Sequence, residues 1–174
     1  MKAKLVVLIA VAALALPMLS AAQTASGTLT VNATVQSSIS MVFNSDAAGV
    51  ALGSAGTNAA TLNFGTISAY GALSAGVGRV VGATTFTVSS PFDVQVDKSN
   101  SASANYTLTA QLNAADATNT WAVGGNTITN GSATTLTSTG AYGSSAAYTL
   151  ALTVPLASSA GAISNVVNFV ATAN

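Results

Sequence analysis

From Gly27 onward, apolar and polar residues alternate with a period of two through much of the chain. Leu29, Val31, Ala33 and Val35 alternate with Thr28, Thr30, Asn32 and Thr34. Ile39, Met41 and Phe43 follow the same rule, and Leu62 and Phe64 begin another short run. Phe86 and Val88 lead into Phe92, Val94 and Val96, which alternate with Asp93, Gln95 and Asp97. Tyr106, Leu108, Ala110 and Leu112 form the next run, and Tyr148, Leu150, Leu152 and Val154 another. Successive side chains of a strand point to opposite faces, so this alternation predicts half-buried strands. The β-branched content agrees.

Between the runs lie clusters of Gly, Ser and Asn: Asn44–Gly56, Gly71–Gly82, Ser99–Asn105, Gly124–Gly125, Asn130–Gly131, Gly140–Ser145 and Ser158–Gly161. These predict turns and loops. Gly76, Gly78 and Gly82 match no phosphate-binding pattern, so Gly71–Gly82 is expected to be a flexible connection between strands. No helical period of useful length follows the N-terminal region. Many short strands and frequent turns predict an all-β fold, a sandwich or a barrel.

The first and last runs stand apart. Gly27–Val35 is an amphipathic strand candidate ahead of the domain proper, which is expected to begin near Ser37. In the last run, Ile163–Ala173, Val166 and Val170 lie on one face and Val167, Phe169 and Ala171 on the other. Apolar residues on both faces suit a strand covered on both sides. With no further strand after it, the run is also expected to leave a sheet edge or groove open. An open apolar edge invites strand addition from a neighbouring molecule.

The N-terminus follows a different rule. Lys2 and Lys4 precede an apolar run that begins at Leu5, Pro17 interrupts it, and Ser20, Ala21 and Ala22 follow. A basic start, a short apolar stretch and small residues describe a secretory signal peptide, residues 1–22, with Gln23 opening the mature chain. A retained anchor needs about 20 apolar residues, and Leu5–Leu19 supplies 15. Residues 23–36 then form an N-terminal extension and residues 37–174 one domain, with no transmembrane segment left after cleavage.

Composition narrows the chemistry. Charged residues make up 5% of the chain, and there is no His, Cys or Glu, against about 25% charged in average soluble proteins. That removes imidazole bases, thiolates and soft metal ligands. After cleavage only Arg79 and Lys98 remain against Asp46, Asp93, Asp97 and Asp116, too little positive charge for a nucleic-acid face. No residue set supplies a nucleophile with a matched base, so an enzyme is not expected, and neither is a cofactor or metal. Asp93 and Asp97 sit about 13 Å apart along one strand, too far for a paired-carboxylate site. Asp97, Ser99 and Asn100 lack the acidic density of a calcium loop. Trp121, beside Gly124 and Gly125, is expected to pack over the end of a core rather than stack on a sugar. Asn32, Asn105 and Asn130 open N-x-S/T triplets, which matter only where a cell glycosylates Asn.

Four stretches resemble the spore coat protein U family, which includes the major pilins of archaic chaperone–usher pili. They are Gly27–Val35 (GTLTVNATV), Thr61–Gly65 (TLNFG), Phe86–Asp97 (FTVSSPFDVQVD) and Tyr148–Ala173 (YTLALTVP, then GAISNVVNFVATA). The resemblance implies an immunoglobulin-like β-sandwich that lacks its last strand and is completed by a donor strand from a neighbouring subunit. Leu29, Val31, Ala33 and Val35 would be the donor side chains, and Val167, Phe169 and Ala171 would line the acceptor groove. It implies copies of the same chain as partners, a periplasmic chaperone and outer-membrane usher, and a secreted, cell-surface filament serving adhesion or biofilm. Family members usually carry a disulfide between the start of the domain and the strand after LNFG. Here the matching regions are Ser38–Ser40 and Ser89–Ser90, so this is a cysteine-free variant. The resemblance therefore carries donor-strand exchange further than it carries a chaperone–usher route.

Two other classes compete. A monomeric secreted adhesin or carbohydrate-binding sandwich would fold Gly27–Val35 back into its own sheet, although one Trp and four Tyr offer little for a sugar platform. An outer-membrane barrel needs strands of about 9–11 residues and aromatic girdles, against 6% aromatics here.

Overall fold

Alternation becomes structure only where a partner strand accepts it, and nine strands do so among the described residues. The computed structural model describes residues 25–174; the expected signal peptide, residues 1–22, lies outside them. The chain divides into two units, Met1–Thr34 and Val35–Asn174. In the first, residues 25–34 belong to no strand and are exposed throughout.

The second unit holds β1 (Ser38–Ser45), β2 (Gly78–Val81), β3 (Thr85–Ser99), β4 (Tyr106–Leu112), β5 (Thr120–Val123), β6 (Asn126–Ile128), β7 (Thr134–Gly140), β8 (Ser145–Pro155) and β9 (Val167–Ala173). No described residue is helical. All pairings are antiparallel. One sheet runs β1-β3-β8-β5-β6, with β2 also on β3, and the other runs β7-β4-β9. The expected all-β sandwich is therefore observed.

The core lies between the inward faces of the two sheets. β3 contributes Phe86, Val88, Phe92, Val94 and Val96, and β4 contributes Tyr106, Leu108, Ala110 and Leu112. Trp121, Val123, Ile128, Leu152 and Val154 complete it. Along β3 and β4, burial alternates residue by residue, as the sequence period predicts.

β3 carries Pro91 at its centre, normally a sign of an edge strand or a bulge. On the side away from β8, Phe86–Ser89 pair with β2 and Phe92–Ser99 with β1. Pro91 thus falls in the gap between two partners, where a missing N–H leaves no ladder bond unmade on that side. The fully buried Ser90 hydroxyl accepts the Val50 N–H at 2.8 Å and ties the β1–β2 connection to the gap.

Several expectations change. Gly71–Gly82 is not merely a connection, since it contains β2, whose four residues are too few to show a period. β7, sequence TTLTSTG, has one large apolar side chain and so no visible alternation. Gly27–Val35 forms no strand, because amphipathicity without a neighbouring ladder leaves its backbone groups unpaired. Leu62–Phe64 likewise joins no sheet. The last run becomes strand only from Val167, and one of its faces is uncovered, with Val170 56% exposed. Gly124 and Gly125, at φ +57° and +81°, make the expected turn, a two-residue loop joining β5 to β6.

The two serine regions implied by the resemblance as the sites of a lost disulfide are far apart. Ser40 pairs with Asp97, seven residues along β3 from Ser90, or about 23 Å at roughly 3.3 Å per residue. A disulfide needs Cα atoms within about 7 Å, so cysteines there could not have been bridged in this fold.

Candidate functional site

β9 is an outer strand of its sheet, paired with β4 on one side only. Its register places Val167, Phe169 and Ala171 opposite Leu112, Ala110 and Leu108. Residues directly opposite share a face, so these three side chains turn toward the core. Their partners on β4 are buried, yet Val167, Phe169 and Ala171 are only half-buried. The inward face of β9 is incompletely covered.

The backbone is open along the same edge. At the two ends of the β4–β9 ladder, Asn113 N–H donates to Val166 O at 2.8 Å and Asn174 N–H donates to Asn105 O at 3.1 Å. In an antiparallel pair the bonded positions recur every second residue. The even-numbered residues of β9 therefore address β4. Val167, Phe169 and Ala171 turn their N–H and C=O groups outward, to a side with no strand.

Beside this edge lies a groove of about 1400 Å³. It is lined by Phe92, Trp121 and Leu152, and by Phe43 of β1 and Phe169 of β9. Phe169 meets Phe43 and Phe92 edge-on, at 5.1 Å and 5.9 Å between ring centres, a geometry that suits the charge distribution of aromatic rings. One wall is the β8–β9 connection, Ser158–Val166, and another is the stretch Asn58–Ala69. No charged residue lines the groove. Its volume exceeds the roughly 300–1,000 Å³ of small-molecule pockets.

Trp121 is held by Asp116. The indole N–H donates to Asp116 Oδ2 at 2.8 Å, and the backbone N–H groups of Thr118 and Asn119 donate to Oδ1 at 3.0 Å and 2.9 Å. Burial alone would raise the Asp116 pKa, but the bonds from Asn119, Trp121 and Thr118 outweigh it and hold the carboxyl at about 2. Trp121 is 6% exposed, packed into the core as expected rather than presented as a platform.

Two other outer strands, β1 and β2, differ from β9. On β1, the Phe43 N–H donates to Thr57 O at 2.9 Å and the Phe43 carbonyl accepts from Gly56 N–H at 2.7 Å, so the chain's own loop caps that strand. On β2, Arg79 pairs with the fully buried Val88 and so points a charge inward. Its Nη1 donates to Ser68 O at 2.9 Å. Loop covers and inward charges are devices that protect strand edges. β9 carries neither.

The expected donor residues are exposed, with Leu29 at 89%, Val31 at 79% and Val35 at 73%, and Ala33 is exposed as well. The three expected acceptor residues share one face of β9. Trp121, Phe92 and the Leu62–Ala69 wall escaped the sequence reading of the groove, although the TLNFG stretch was a signal for part of it. Asp93 and Asp97 lie on the outer face of β3, where Asp97 accepts from Gln95 Nε2 at 3.1 Å through each oxygen. Among the described residues, no three His, Cys, Asp or Glu side chains gather.

Comparison with known proteins returned no matching family, no matching curated protein and no matching solved structure.

Proposed function

We propose that the chain is a structural subunit of an extracellular filament that polymerises by donor-strand complementation. In this reading the fold is an immunoglobulin-like sandwich one strand short, and Gly27–Val35 of one copy fills the groove beside β9 of the next. The observation that carries it is the edge of β9, where half-buried apolar side chains and outward-turned backbone groups border a charge-free groove. The proposed donor has matching chemistry. It carries no charge, alternates apolar and polar residues, and exposes Leu29, Val31 and Val35. Fully burying such a side chain is worth about 1.5–3 kcal/mol, and the ladder adds register.

Donation to a second copy is favoured over folding back. Only Gln36 and Ser37 separate Val35 from β1. A two-residue hairpin along β1 wants Gly, Asn or Asp at the turn, and neither position has one. Deleting Gln23–Val35 is expected to abolish filaments in electron micrographs while secretion continues. Normal fibres from the deletion would overturn the proposal. Monomeric mature protein that binds glycans would favour an adhesin instead.

A further inference from the structure

The connection from β6 to β7 holds the one asparagine of the chain that is followed by glycine, Asn130–Gly131. Both residues are exposed and belong to no strand. The backbone just before Gly131 is anchored to β4. Leu112 N–H donates to Thr129 O at 3.0 Å, and Gln111 Nε2 donates to Asn130 O at 2.7 Å. Beyond those anchors, the Asn130 side-chain amide and the Gly131 N–H have no hydrogen-bond partner among the described residues. A Cβ at Gly131 would meet no atom within 4 Å, so no neighbour shields its nitrogen. Other asparagines are tied down: Asn63 and Asn165 accept backbone N–H groups through Oδ1, and Asn119 is held to Asp116. Each of these is followed by a residue with a side chain.

We propose that Asn130–Gly131 is a self-modification site, where Asn130 is converted to isoaspartate and Gln111 directs the outcome. The Gly131 nitrogen attacks Asn130 Cγ. An N–Cγ bond forms, the Cγ–Nδ2 bond breaks, and Nδ2 leaves as ammonia with the proton that Gly131 gives up. The product is a cyclic imide. Glycine favours the step because it has no Cβ to crowd the approach and its backbone turns freely, and asparagine is among the thermolabile residues. Water then opens the ring. Attack at Cγ leaves aspartate, whereas attack at the main-chain carbonyl carbon leaves isoaspartate, with the chain running through Cγ. Nothing is oxidised or reduced; water enters and ammonia leaves. The main-chain carbonyl is the one that Gln111 holds. A donor aimed at an oxygen that gains charge in the transition state lowers the barrier there, so the Gln111 amide selects isoaspartate. The oxygen then belongs to a carboxylate, and its bond to Gln111 becomes charge-assisted. The product adds a fifth acidic group to Asp46, Asp93, Asp97 and Asp116. No residue between 122 and 149 lines the groove beside β9, so the new charge is not part of it and the inference stands apart from the filament proposal.

The test ages the secreted chain in mildly alkaline buffer and follows residue 130 by peptide mass spectrometry and by labelling with an isoaspartyl methyltransferase. The folded parent is expected to gain isoaspartate at 130, with a larger share over aspartate than the chain aged unfolded in urea. Gly131→Ala places its Cβ in open space, so it should keep the parent's Tm and lose the conversion. Gln111→Ala, and Gln111→Glu with no donor of its own when ionised, should still convert but shift the product toward aspartate. An unmodified Asn130 in the aged parent, conversion only in the unfolded chain, or equal conversion in Gly131→Ala overturns the site. So does a glycan on Asn130, which would occupy the reacting amide. An equal isoaspartate share in folded and unfolded parent, or an unchanged share in either Gln111 variant, overturns the role given to Gln111.

Discussion

Replacing Val31 with aspartate separates the filament from the sandwich. Val31 is 79% exposed, so the substitution is expected to shift the isolated subunit's stability by no more than about 0.5 kcal/mol. In the proposed joint the same side chain would enter a groove without a charged residue. The lost burial costs about 1.5–3 kcal/mol, and an unpaired carboxyl brought out of water adds roughly 2 kcal/mol or more, even if it takes up a proton. A penalty of about 4 kcal/mol corresponds to roughly a thousandfold weaker joint at 1.4 kcal/mol per factor of ten. The assay pairs sedimentation of assembled material with thermal unfolding of the soluble fraction. Val31→Asp should stay soluble with an unchanged Tm, and Thr30→Asp, one position away on the outward face, should still sediment. Wild-type fibres from Val31→Asp would refute the reasoning. So would a large fall in its Tm, which would mean that Val31 is buried in the isolated subunit.

Three further substitutions test the sandwich. Gly140→Ala places a Cβ 2.3 Å from the ring of Tyr106, which is 1% exposed; it should cost about 1–3 kcal/mol in urea unfolding, as overpacking does. Ser90→Ala removes the acceptor of the Val50 N–H and should cost about 1–3 kcal/mol by the same measurement. Asp116→Asn tests the clamp on Trp121: the carboxyl sits at about 2 when folded against an ordinary 3.8. Its stabilisation is present above pH 3.8 and lost as pH falls toward 2. Urea midpoints followed from pH 5 to pH 2 should drop less in the asparagine variant than in the parent.

How much was legible depended on how long a run of alternation was and how many large side chains marked it. β3, β4 and β8 announce themselves because residues such as Phe92, Leu108 and Leu152 recur at every second position. β2 and β7 do not, since GRVV is too short for a period and TTLTSTG offers Leu136 alone. Val167, Phe169 and Ala171 were assigned to one face correctly because a face follows from parity. Trp121 and Phe92 were missed as groove lining, because they belong to strands distant in sequence that only the sheet order brings to the groove. The polar side was less legible still. Nothing in the local sequence says that Asp116 reaches back to the Trp121 indole, or that Thr57 closes the edge of β1.

Gly27–Val35 shows where alternation stops deciding structure. Its alternation is as regular as that of β4, yet among the described residues it belongs to no strand, because alternation describes what a segment can offer and pairing requires an edge that accepts it. By itself the sequence determined the all-β class, the inward face of each long strand and the poverty of charge, all properties of residues and their nearest neighbours. Only the tertiary structure decided which strand edges are capped, which carry an inward charge and which stay open, because an edge exists only once the order of strands in each sheet is set.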